Sequence, residues 1–262
     1  MSSTTRHTIL GAVLLACAHL AWSATYIELP GGTFPSVLGN DASAGQATVP
    51  PYRLRATPVT KGEFGAFLAS HPQWQRGHAA RVFVDADYLA DQALPATRPD
   101  SGADRPITQV SWFAAQAFCE AEDARLPTWF EWEFAAAADA TRADARGDAA
   151  WRARILGWYS RPASRALPAV GGNANYYGIS DLHGVIWEWV DDFNALLVNA
   201  DSRSANDPDK LKFCGAGAID LQQRDNYAIL MRVALLSSLK GTNSTSSLGF
   251  RCVRPTTRGS TP

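Results

Sequence analysis

The chain is poor in the residues that build metal and redox centres: it has five His, two Met and four Cys in 262 residues. It also has no excess of basic side chains, since 24 Lys and Arg against 25 Asp and Glu leave a formal net charge of -1. With that balance no basic surface advertises nucleic-acid binding. The scarcity of His and Cys makes a zinc centre or a multi-His copper centre hard to assemble from this chain alone. Also missing are a phosphate-cradling Gly loop, a dinucleotide motif and a Ser-His-Asp pattern. The longest apolar stretch, Ile9 to Leu20, is interrupted by Gly11 and His19. It is too short and too weakly apolar for a membrane span.

Other residues are abundant. Nine Trp, 20 Gly and 15 Pro point to a loop-rich fold held by aromatic packing, not to a helical bundle. Hydrophobic residues make up 46% and charged ones 19%, an ordinary globular balance. The length allows one large domain or two small ones, and no shift in composition cuts the chain in two. At the N-terminus, Arg6 and His7 precede the apolar run, and Ala21-Trp22-Ser23 fits a small-x-small cleavage site. The reading is a signal peptide over 1-24, an exported, periplasmic mature chain and one domain over 25-262. Lipidation at Cys17 is the lesser alternative, because Leu14-Leu15-Ala16-Cys17 matches a lipoprotein signal poorly, with Leu where a smaller residue is usual. After cleavage Cys119, Cys214 and Cys252 remain. An oxidising compartment permits one disulfide among them and leaves one thiol over.

Local patterns predict a mixture of short elements. Thr25 to Val37 reads as strand, turn and strand, and Pro50 to Pro58 as a short extended piece. Thr60 with Glu63 forms a capping box, with Val59 stapling against Phe64, so a helix is expected to about Ser70. His71 to Pro106 reads as a long surface loop with a strand around Val82 to Val84. Ser111 caps a helix from Trp112 to about Asp123. Thr128 and Glu131 box another that reaches about Ala138. Asp139 to Ala153 is expected to be helical and exposed. Phe213 to Leu236 alternates between Gly-rich and apolar pieces, and Gly249 to Val253 reads as a last strand.

Four segments carry the most information. They are Pro106-Ile107-Thr108-Gln109-Val110-Ser111-Trp112, then Ala117-Phe118-Cys119 with Arg125-Leu126-Pro127-Thr128 and Glu131-Trp132-Glu133. The third runs Tyr177-Gly178-Ile179-Ser180-Asp181-Leu182-His183-Gly184-Val185-Ile186-Trp187-Glu188-Trp189, and the fourth is Leu248-Gly249-Phe250-Arg251-Cys252. In order and spacing the set resembles the formylglycine-generating-enzyme (sulfatase-modifying factor) family, over roughly Tyr26 to Pro255. The resemblance implies an irregular α+β fold of C-type-lectin-like topology with little regular secondary structure. It implies a disulfide between Cys119 and Cys252. It also implies a calcium held by Asp181, the carbonyls of Gly184 and Ile186, and Glu188, a set of hard oxygen donors.

The same resemblance exposes a departure. The oxygen-activating members bind Cu(I) through two cysteines, and soft thiolates are what select that ion. Here Tyr227 matches the family tyrosine, Ala228 stands where the second cysteine belongs, and the first position has no cysteine either. Formylglycine generation by the known mechanism is therefore not expected, and copper binding is left open. Cys214, Tyr227 and Arg232 are the candidate catalytic residues. Trp187, Trp189, Asp191, Asp192 and Arg232 are candidate cleft residues, with core packing for the two Trp and a solvated pair for the two Asp as their plainer readings. The chain resembles a cysteine-pair-deficient bacterial branch that includes nitrite-reductase accessory proteins and pyoverdine-maturation members. Three functions follow as expectations. The first is an accessory or maturation protein for a periplasmic metalloenzyme such as copper nitrite reductase. The second is an oxidoreductase on a peptide-like siderophore chromophore, and the third a non-enzymatic, lectin-like binding module. Its expected partner is a periplasmic protein or a peptide-like substrate.

Overall fold

The structure is a computed structural model that describes residues 24-36, 38, 45-91, 102-159, 166-196 and 227-256. Among the described residues, three small sheets and five α-helices pack into a large aromatic-rich core and a smaller apolar cluster. In the first sheet β4 (Tyr52–Arg55) lies between β1 (Tyr26–Leu29) and β7 (Val253–Pro255), antiparallel to both. Its register pairs Tyr26 with Arg55 on one side and Leu54 with Val253 on the other. A hairpin of β2 (Gly32–Pro35) and β3 (Gln46–Val49) forms the second sheet. The third is a parallel pair, β5 (Trp187–Glu188) against β6 (Leu248–Gly249).

The helices begin where their caps dictate. In α1 (Lys61–Ser70), the Glu63 amide donates to the Thr60 hydroxyl at 3.2 Å, and the Thr60 amide donates back to the Glu63 carboxylate at 2.8 Å. Thr128 and Glu131 repeat this box at α3 (Trp129–Ala136), and Ser111 caps α2 (Trp112–Ala121). Asp192 adds a further acceptor at the start of α3, taking the Trp129 amide at 2.8 Å. An anionic acceptor at a helix N-terminus also complements the helix dipole.

Three expectations need correction. The segment around Val82 to Val84 is a turn, and Val82 is 68% exposed. Residues 139-148 are irregular. The helix there is α4 (Ala149–Tyr159), entered where Asp148 accepts the amides of Ala150 and Trp151. It is not a solvated helix, since Trp151 and Ile155 are buried. The single last strand is instead the two pieces β6 and β7. Phe250, Arg251 and Cys252 between them are all fully buried, which a strand with alternating faces cannot achieve. A further helix, α5 (Tyr227–Ser237), falls where only apolar pieces were read.

The core centres on Phe64, Phe118, Trp129, Trp132, Trp189 and Phe250. The Cys119–Cys252 disulfide joins α2 to the segment entering β7, with Cα atoms 5.5 Å apart. Both cysteines are fully buried. Among the described residues no helix is long and apolar enough to cross a membrane.

Candidate functional site

Three features surround the positions singled out in the sequence: a buried charge cluster, a plugged helix contact and an open cavity.

The parallel pair β5 and β6 places Glu188 at the centre of the charge cluster, where it has no solvent exposure. Arg251 meets it as a two-pronged fork, Nε donating to one carboxylate oxygen at 2.9 Å and Nη2 to the other at 2.8 Å. The Trp132 indole donates to the same carboxylate at 3.0 Å. Arg251 also donates to the carbonyls of Arg55 and Ser180, tying β4 and the 180 turn to β5. From α5, Arg232 stacks over the Trp132 ring, 3.6 Å from its centroid, and donates to the Glu188 carbonyl. An ion pair with this many hydrogen bonds survives burial, whereas either partner alone would not.

This arrangement bears on the expected calcium set. Calcium takes six to eight oxygen donors, carboxylates foremost. Here both oxygens of Glu188 already face a guanidinium. The Asp181 carboxylate closes a turn by accepting the amides of Gly171 at 2.6 Å and Gly172 at 3.3 Å. The backbone of Asp181 is left-handed, at φ 64°. Gly184 carries φ 85°, and a Cβ there would lie 2.6 Å from the Trp158 ring. Ile186 is buried. The two carboxylates of the set are thus taken by protein donors, which does not fit a calcium centre at those oxygens, and among the described residues no group of three His, Cys, Asp or Glu is placed to hold a metal.

Of the candidate catalytic residues, only Arg232 has a described side chain. Cys214 lies outside the described residues. Tyr227 opens α5, and its side chain lies outside the description. Arg232 was expected in a cleft. It is instead fully buried, stacked on Trp132 and bonded to the Glu188 carbonyl. Trp189 is core, donating its indole N–H to the Val110 carbonyl at 3.0 Å. Asp192 caps α3, while Asp191 is exposed.

Ala228 shows what became of the copper position. It is buried, and it packs with Ala145, Trp151 and Ile155 in an apolar cluster where α4 meets α5. Hydrocarbon surrounds the place where the resemblance puts the second thiolate. Sequence reading missed α4 as a functional element, although its signal was present: Trp151, Ile155 and Trp158 recur at helical spacing.

The same stretch of α4 borders a cavity of about 450 Å³. Trp151, Ile155 and Trp158 form one wall, and Leu182, His183 and Val185 another. His183 is enclosed by three indoles, its ring centroid 5.6 Å from that of Trp132, 5.7 Å from Trp151 and 6.3 Å from Trp158. Its Nε2 lies 2.8 Å from the Ala136 carbonyl, which only accepts, so Nε2 carries the proton. Burial lowers its pKa to about 4, and the nearby positive charges of Arg232 and Arg251 act in the same direction. The ring is therefore neutral at physiological pH and brings no charge to the cavity wall.

Fold and motifs together define the class. A family model described as a sulfatase-modifying factor enzyme 1-like domain matches residues 19–256, and the chain belongs to that family. Its relatives are varied. The formylglycine-generating enzyme of Streptomyces coelicolor is 29% identical, over 86% of this chain and 88% of that protein. The inactive C-alpha-formylglycine-generating enzyme 2 of Mus musculus is 27% identical, over 68% and 73%. Hercynine oxygenase of Mycolicibacterium smegmatis is 31% identical over 63% of this chain, but the match spans only 45% of that enzyme. Among solved structures, PvdO from Pseudomonas aeruginosa aligns with a TM-score of 0.46 at 16% identity, over 88% of this chain and 94% of that one.

Proposed function

We propose that this chain is an exported maturation or accessory protein that acts by recognising a periplasmic metalloenzyme such as a copper nitrite reductase. It does so without the two-cysteine copper site. The observation that carries this reading is the burial of Ala228 under Trp151 and Ile155. A Cu(I) site needs two convergent thiolates and an approach for substrate. Here the second position is an alanine plugged by a helix, while the scaffold around it is kept. The Cys119–Cys252 disulfide supports export, because buried structural disulfides persist in oxidising compartments.

The test is an anaerobic Cu(I) titration of the purified mature protein and of Cys214→Ser, beside calorimetric mixing with copper-free nitrite reductase. Association with the reductase and no stoichiometric Cu(I) site is the expected result. Absence of association sinks the accessory reading. A tight Cu(I) site lost in Cys214→Ser would replace it with a copper-dependent role.

A second reading, an oxidoreductase acting on a peptide-like small molecule such as a siderophore chromophore, is favoured by the 31% identity to hercynine oxygenase. A deletion strain that accumulates unoxidised pigment precursor, while nitrite reduction is intact, would select it.

A further inference from the structure

We infer that the cavity between α4 and the 173-185 turn is a binding site for a small planar aromatic carboxylate, with Arg154 as its anion anchor. This inference stands apart from the accessory reading and needs neither copper nor the reductase.

The argument begins with one face of α4. Trp151, Arg154, Ile155 and Trp158 stand at positions i, i+3, i+4 and i+7, the spacing of a single helix stripe, and all four line the cavity. Three of them are apolar. The fourth is a guanidinium with no hydrogen-bond or ion-pair partner among the described residues. Arg154 is exposed and lines the cavity, so its guanidinium is free to meet a ligand, and a free guanidinium matches a carboxylate in shape and charge.

The acids on the rim are already engaged. Asp139 is held by the Arg142 side chain and by the amides of Thr141 and Arg142. Asp181 is held by the amides of Gly171 and Gly172. His183 donates its proton to Ala136. Arg154 is thus the charge left to meet a ligand.

The rest of the lining sets shape. Two indoles, Ile155, Pro168, Leu182 and Val185 give flat and aliphatic walls, which suit the faces of an aromatic ring. The floor is preformed, because Trp151, Ile155, Ile179 and Leu182 are each at most 5% exposed. A volume of about 450 Å³ is that of a small-molecule site.

The test uses 1-naphthoate as probe, with 1-naphthylmethanol and 1-naphthylmethylammonium as neutral and cationic counterparts. Binding to the full mature chain is followed by calorimetry and tryptophan fluorescence. One saturable site is expected, at least about tenfold tighter for the carboxylate than for either counterpart, as a charge-assisted pair implies. Arg154→Ala, at an exposed position, should erase that preference and leave the alcohol unchanged. Arg154→Lys should retain part of it. Val185→Trp should fill the cavity and abolish all binding while the melting temperature holds. No saturable binding, equal affinity for the three probes, preference for the ammonium, or an Arg154→Ala variant with undiminished carboxylate affinity would each overturn the inference.

Discussion

The buried His183 makes the stability of this protein sensitive to mild acid, and the size of the effect can be worked out. In the unfolded chain the imidazole titrates near 6.5, whereas in the fold burial holds it at about 4. Between these values the unfolded state binds a proton that the folded state refuses, so stability is complete above pH 6.5 and is lost as pH falls toward 4. Relative to pH 7.5, the linkage relation gives a loss of about 2 kcal/mol at pH 5 and about 3 kcal/mol at full protonation. For a domain of this size that is a fall of about 4–8 °C in melting temperature by pH 5. Asp191 and Asp192 act in the opposite direction, since burial raises both carboxyls and so favours the fold in acid. The assay is calorimetric melting from pH 7.5 to 4.5 for the parent protein and for His183→Phe. The variant keeps a ring in the indole cage and carries no titrating proton. It should melt lower at neutral pH, having lost the bond to Ala136, and should show a markedly flatter pH slope. An unchanged slope in His183→Phe, or a flat profile in the parent, would refute the reasoning.

Other perturbations test the frame around the site. Replacing both Cys119 and Cys252 by Ala opens a covalent loop whose ends are 133 residues apart. The cost should reach about 5 kcal/mol by the chain-entropy relation, read from denaturant midpoints. Glu188→Gln leaves Arg251 charged and without its counter-ion in the interior, a loss of about 3–5 kcal/mol. The Glu188→Leu, Arg251→Met double variant should recover much of it. In the parent, a chelator of divalent cations should leave the melting temperature unchanged, because the guanidinium already neutralises that carboxylate. Gly249→Ala drives a Cβ to 2.2 Å from the Ile107 carbonyl oxygen. It should destabilise by about 1–3 kcal/mol, and a neutral outcome would mean that the β5–β6 pair can shift.

Sequence and structure agree best where local chemistry decides. Thr60, Ser111 and Thr128 fix three helix starts by bonds within four residues, and a reading of neighbours finds them. The disulfide was carried by the family resemblance of Cys119 and Cys252, since spacing alone left the pairing open. Helix α5 was missed because Ala228 to Leu236 is apolar apart from Arg232, and an unbroken apolar run does not separate a buried helix from a strand. The site was the least legible part. Whether Glu188 faces a cation or a guanidinium depends on Arg251, which lies 63 residues away. Arg232 looked like a cleft residue because a lone cation among apolar neighbours has two solutions, and here it lies flat on Trp132. The plug over Ala228 requires knowing that α4 packs against α5, a long-range fact with no local mark.

The position of β4 has a consequence for the order of assembly. Its partner on one edge, β1, has left the ribosome some two dozen residues earlier, but its other edge waits for β7, about two hundred residues later. The disulfide and the Glu188–Arg251 pair wait for the same late segment. Closing contacts of such long range is slow. The first sheet, the disulfide and the buried ion pair therefore all close late, on residues 251–255, so removing that short segment should cost far more stability than its length would imply.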